Sequence, residues 1–180
     1  MISVAIFVSL LDDYGQSRLQ DTPPVVGLFI IRHNDNMSIE IRDLKDGDLE
    51  QVRANPLEDA VKCYPDLPID PRASYTALWD DVIVACGGAV MMWKGVWEFW
   101  LILTKDSKLD GAHSIVALEA IRRKIDEIIE ENNIVRAQAV VRLDFPRGIR
   151  MLEALGFQAE GYMRKYTPDF CDVYRYARIK

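Results

Sequence analysis

The chain has 180 residues, 49% hydrophobic and 28% charged, the length and mix of one globular domain with a sizeable core. Its 28 acidic against 22 basic residues give a formal charge of −6, and no basic block could neutralise a run of phosphates, which excludes nucleic acid as the main partner. Cys63, Cys86 and Cys171 lack the paired spacings of a zinc site and the density of a disulfide framework, and read as reduced thiols of a cytoplasmic protein.

The apolar opening Met1 to Leu11 is too short to span a bilayer, has no positive flank before it and runs into Asp12-Asp13. Neither a signal peptide nor a membrane anchor is expected. A second apolar run, Val25 to Ile31, follows the turn-rich stretch Asp12 to Pro24, and His33-Asn34-Asp35-Asn36 reads as a linker. Residues 1–36 are therefore set apart as an N-terminal extension. It is an appended hairpin, an arm with apolar surface for a partner or a homodimer, or a stretch ahead of the native start of translation.

Residues 37–180 form the main domain, opening with Met37-Ser-Ile-Glu-Ile-Arg-Asp, a short strand in which Ile39 and Ile41 alternate. A helix entered through Asp46 to Asp48 follows. Four prolines between Pro56 and Pro71 leave room for a short helix only from Leu57 to Tyr64, and then for an extended loop suited to covering a substrate cleft. Three β-branched and aromatic runs, Tyr75 to Trp79, Val82 to Trp93 and Val96 to Thr104, are broken at Asp80-Asp81 and Lys94-Gly95, which predicts an antiparallel meander. Leu118, Ile121, Ile125 and Ile128 recur at helical spacing in a long helix that Asn132-Asn133 ends. A strand over Ile134 to Leu143 precedes a helix from Arg147 to Leu155, with Pro146 in its first turn and Gly156 as its left-handed cap. Strands at Ala159–Tyr166 and Cys171–Ile179 complete the order β-α-α-β-β-β-α-β-α-β-β.

That order, with Gly148-Ile-Arg-Met-Leu-Glu-Ala-Leu-Gly156-Phe157 followed by Glu160-Gly161-x-x-Arg164, resembles the C-terminal half of the GNAT superfamily of N-acetyltransferases. The resemblance implies an α/β fold: a mixed, mostly antiparallel twisted sheet flanked by about four helices. It implies acetyl-CoA as co-substrate and, as acceptor, a small-molecule amine or a protein N-terminus. The cofactor's pantetheine arm would pair with the backbone of the strand Val96 to Thr104, at Ile102 and Leu103, as an added strand does. Its pyrophosphate would lie on the loop Lys108-Leu-Asp110-Gly111-Ala112-His113 and the start of the long helix. The family's loop reads Gln/Arg-x-x-Gly-x-Gly/Ala; Gly111 keeps the first glycine, Lys108 replaces the initial residue and His113 the last. Asp110 opposes a pyrophosphate unless Lys105 and Lys108 compensate, and serves equally as a helix N-cap.

For the transfer step the resemblance points to Glu98, on the same strand in an apolar, Trp-rich setting, as the base that deprotonates the amine. The family's tyrosine acid is absent: Leu152 stands at its position, and Phe145 where an asparagine often precedes the helix. Trp93, Trp97 and Trp100 are candidates for an acceptor pocket, with Trp97 and Trp100 on opposite faces by alternation. The Trp-rich meander also resembles small acetyltransferase-like proteins of tailed phages, some of them virion components. Two further readings stay open: an inactive scaffold of that fold, such as a virion or assembly protein, and a module that binds an amine or peptide without turnover.

Overall fold

The computed structural model describes residues 29–33, 37–64, 69–107 and 111–180; the side chains of 29–33, 37–38 and 111–114 lie outside that description. The strands are β1 (Phe29–His33), β2 (Met37–Asp43), β3 (Ser74–Trp79), β4 (Val82–Trp93), β5 (Val96–Leu103), β6 (Arg136–Arg142), β7 (Gln158–Met163) and β8 (Val173–Ile179). They form one sheet in the order β1-β2-β3-β4-β5-β6-β8-β7. Every neighbouring pair is antiparallel except β5 with β6. The helices are α1 (Asp48–Ala54), α2 (Gly111–Glu131) and α3 (Pro146–Ala154). Among the described residues no helix is long and apolar enough to cross a membrane.

The meander closes as its turn residues dictate. Asp80 and Asp81 both take positive φ, 47° and 67°, in the two-residue loop between the paired Trp79 and Val82, the hand that matches strand twist. Gly156 caps α3 at φ 86°. β1 pairs with β2 from Phe29↔Ile41 to His33↔Met37, so residues on both sides of position 36 share the sheet.

One expected element takes another form. The helix expected over Leu57 to Tyr64 is a single 3-10 turn at Asp59–Cys63, and a second such turn follows at Pro71–Ala73. The cause lies upstream, where Asn55 to Leu57 runs as a strap against the end of β5 and bridges Pro56 to Thr104. Leu57 N–H donates to the Leu103 carbonyl at 2.8 Å, and Lys105 N–H to that of Asn55 at 3.1 Å. A chain held extended through Leu57 and met by Pro65 has too few residues to propagate an α-helix.

Alternation divides β5 between two cores. Trp97, Phe99, Leu101 and Leu103 face Ile125, Ile128, Leu152 and Leu155 of the α2–α3 side, while Trp100 and Ile102 pack with Val52, Val61, Tyr64 and Cys86 beneath α1. Trp97 and Trp100 thus take opposite faces as expected, and Trp93 is 60% exposed. α1 is tied to the sheet by Asp48. Its carboxylate accepts from Arg42 Nη1 at 2.6 Å and Nη2 at 3.0 Å, from Thr76 Oγ1 at 2.6 Å and from Lys45 N–H at 3.0 Å.

The first turn of α3 is fitted around Phe145. A Cβ at Gly148 would lie 2.4 Å from Phe145 Cδ1 and 2.9 Å from Val141 Cγ2. Gly148→Ala is therefore expected to destabilise the protein by about 1–3 kcal/mol through overpacking, read by urea denaturation. Adding Phe145→Leu should recover part of the loss, and an unchanged midpoint in the single variant would show that the ring moves aside freely.

Candidate active site

The parallel pair β5–β6 is matched at Val96↔Arg136, Trp97↔Ala137 and Glu98↔Gln138, and its ladder ends there. Each strand stays held by its other neighbour: β5 pairs with β4 as far as Leu103↔Ala85, and β6 with β8 as far as Arg142↔Val173. The two strands therefore part into a V whose vertex is the Glu98–Gln138 rung.

The phase of the β4 ladder decides which peptide groups line the V. Thr104 N–H donates to the Val84 carbonyl at 2.9 Å, so even-numbered residues at this end of β5 turn their peptide groups to β4 and odd-numbered ones to the opening. Leu101 and Leu103 thus face the opening. Ile102 does not: it pairs with Cys86 and turns its peptide groups to β4, with its side chain 1% exposed under α1. Of the two residues expected to meet a cofactor arm, Leu103 has the right phase, and Leu101 joins it in place of Ile102. The Leu103 carbonyl is already engaged by Leu57 N–H.

Glu98 stands at the vertex and is 4% exposed. Its Oε2 accepts from Gln138 Nε2 at 2.6 Å and lies 3.4 Å from Arg175 Nη1. Its Oε1 is buried with no hydrogen-bond partner among the described residues, and the same holds for Trp100 Nε1, two residues further on the same strand face. Gln138 is oriented in turn, since Arg136 Nε donates to its Oε1 at 2.8 Å while the rest of that guanidinium grips the Glu160 carboxylate. That ion pair holds Glu160 below the usual carboxylate range. A buried carboxylate with one oxygen fixed and one unspent is suited to taking a proton or a hydrogen bond from a bound donor.

The sequence pointed to Glu98 and missed its partners. Gln138 carries the one signal that could have been read, an amide inside the apolar strand Arg136–Arg142. Leu152 is 1% exposed and lines an apolar cavity of about 70 Å³ with Phe99, Leu101, Ala139 and Ile125, so this position offers hydrocarbon where the family resemblance would place a hydroxyl. Tyr162 is 47% exposed and its hydroxyl is spent on Asp172, which raises the phenol's pKa. Of the expected phosphate loop, Lys108 and Asp110 lie outside the described residues; Gly111, Ala112 and His113 open α2, with side chains outside the description.

No family model matches the chain, and no curated protein matches it. Solved structures do. An acetyltransferase of the GNAT family from Bacillus anthracis superposes with a TM-score of 0.61 at 16% identity, over 84% of this chain and 98% of its own. The spermidine N-acetyltransferase from Vibrio cholerae, in complex with CoA and spermine, gives a TM-score of 0.60 at 16% identity, over 78% of this chain and 95% of its own. The chain therefore has the fold of the GNAT acetyltransferases, with a mixed, mostly antiparallel sheet.

Proposed function

We propose that the chain is an acyl-CoA-dependent N-acyltransferase that moves an acetyl group from acetyl-CoA to an amine. One coincidence carries this reading: the point where β5 parts from β6 is also the point where a buried carboxylate keeps an unspent oxygen. The bound cofactor supplies an activated thioester. The peptide groups of Leu101 and Leu103 suit its amide-bearing arm as those of a strand suit an added strand. Lys108, Gly111, Ala112 and His113, with the start of α2, suit the pyrophosphate, and Asp110 acts against it.

Glu98 Oε1 takes a proton from the acceptor's ammonium group, and Gln138 with Arg175 holds the carboxylate in place meanwhile. The freed amine adds to the thioester carbonyl carbon; as the new C–N bond forms, the C–S bond breaks, the nitrogen releases its second proton to solvent, and the departing thiolate takes one from solvent. The products are an amide and a free thiol. The spermine-bound neighbour supports a small amine as acceptor over a protein N-terminus. With three free cysteines, the chain fits a reducing, cytoplasmic setting.

A second reading, an inactive scaffold of this fold such as an assembly component, is favoured by Leu152 and by the strap on the Leu103 carbonyl. Calorimetric titration of the full chain with acetyl-CoA at low salt separates the two, with Gly111→Glu as control. Micromolar binding that the control abolishes is the expected result, because the new carboxylate meets the pyrophosphate at the helix start. Absence of heat at millimolar cofactor would transfer the assignment to the scaffold.

A further inference from the structure

On the sheet face beneath α1, strands β6 and β8 carry three arginines among the described residues, and they are committed very unequally. Arg136 spends Nε on Gln138 and both remaining nitrogens on Glu160. Arg142 spends its nitrogens on Asp144 and Asp169. Among the described residues Arg175 makes one long contact, 3.4 Å to Glu98 Oε2, and its side chain is 24% exposed. The same Glu98 carboxylate holds an unmatched buried acceptor, Oε1, and Trp100 Nε1, two residues along that strand face, is an unmatched buried donor.

We propose that this corner is a binding site for a zwitterionic amine, of which an α-amino acid is the simplest case. Its ammonium group meets Glu98 Oε1, and its carboxylate meets the Arg175 fork and Trp100 Nε1. On the acyltransferase reading, on which this identification of the acceptor rests, such a molecule is the acyl acceptor. A guanidinium binds a carboxylate through paired parallel N–H bonds, so an arginine with most of its donors unspent is the matching half of such a pair.

Charge points the same way. Glu98 and Glu160 against Arg136 and Arg175 make a neutral quartet. A zwitterion leaves it neutral, whereas a polyamine adds several positive charges next to two guanidinium groups with one carboxylate oxygen to receive them. The acceptor class is thereby set apart from the polyamine of the spermine-bound neighbour. Arg175 is then a specificity-determining residue that fixes the end of the acceptor opposite the reacting nitrogen.

The test uses the full chain, the L-α-amino acids, their decarboxylated amines and spermidine. Binding is read by tryptophan fluorescence, and transfer by thiol release from acetyl-CoA. An amino acid is expected to bind at least tenfold more tightly than its decarboxylated counterpart. Arg175→Gln should erase that ratio by weakening amino-acid binding at least tenfold more than binding of the decarboxylated amine, a split that a merely structural arginine would not produce. Should that variant melt early, the wild-type ratio alone decides. Spermidine or simple amines binding as well as the amino acids, or no amino acid binding at millimolar concentration, as for a corner that holds only water, would overturn the proposal. Amino-acid binding without thiol release sinks the acyltransferase reading and keeps the site; thiol release with simple amines alone does the reverse.

Discussion

Replacing Glu98 by Gln is expected to lower acyl transfer by roughly 10²–10⁴-fold, the range typical of a lost general base, while acetyl-CoA affinity stays within about twofold. The substitution keeps the shape of a side chain that is 4% exposed, and it removes the only carboxylate at the vertex of the β5–β6 opening among the described residues. Arg175 loses its ion pair and Gln138 Nε2 keeps an amide oxygen as acceptor, so a stability loss of about 1–3 kcal/mol accompanies the change. Thermal melting at the assay temperature shows whether that loss matters to the rate. Single-turnover kinetics with saturating cofactor isolate the chemical step, and a variant within threefold of wild type there would remove Glu98 from the mechanism.

The second large effect concerns the covering of that site. Asp48→Ala is expected to destabilise the protein by about 2–4 kcal/mol, somewhat below the cost of breaking a fully buried ion pair because the Arg42 side chain keeps 18% exposure. The hydrogen bonds from Arg42, with help from Thr76 and the Lys45 amide, hold the Asp48 carboxyl down to about 2 from its ordinary 3.8. Since the folded value lies below the unfolded one, this stabilisation is complete above about pH 4 and lost as pH falls through 2, with a depth of about 2 kcal/mol. Urea denaturation of wild type and Asp48→Asn from pH 6 to 2 should show the two curves converging at the acid end. A constant difference would mean that the carboxylate's charge does not matter. α1 packs Val52 against Trp100 and Ile102, so loosening it uncovers the face on which Glu98 lies.

The elements were legible because each carried a local signature. Strand alternation at Ile39 and Ile41, the paired aspartates at 80 and 81, the helical spacing from Leu118 to Ile128 and the cap at Gly156 need no knowledge of the rest of the chain. The 3-10 turn at Asp59–Cys63 was not legible, because the strap that prevents an α-helix is fixed by Thr104, far along the sequence. The site divides along the same line. Glu98 announces itself as a carboxylate in an apolar strand, but its partners Gln138 and Arg175 lie 40 and 77 residues away and are brought to it by sheet order. Whether Ile102 or Leu101 faces the opening turns on the phase of the β4 ladder, and a slip of one residue exchanges them without altering the hydrophobic pattern of a strand buried on both faces.

The strap from Asn55 to Leu57 gives an occupant that takes over the Leu103 carbonyl a kinetic threshold. An incoming amide can take the Leu103 carbonyl only in molecules whose strap has lifted, and lifting breaks two backbone hydrogen bonds. At about 0.5–1.5 kcal/mol net for each, these bonds alone hold the lifted population to at most roughly one molecule in six to one in 160, and the buried Pro56 lowers it further. The apparent dissociation constant exceeds the intrinsic one by at least that factor. Occupation then proceeds by waiting: as ligand concentration rises, the observed binding rate levels off at the rate of lifting instead of climbing in proportion to encounters.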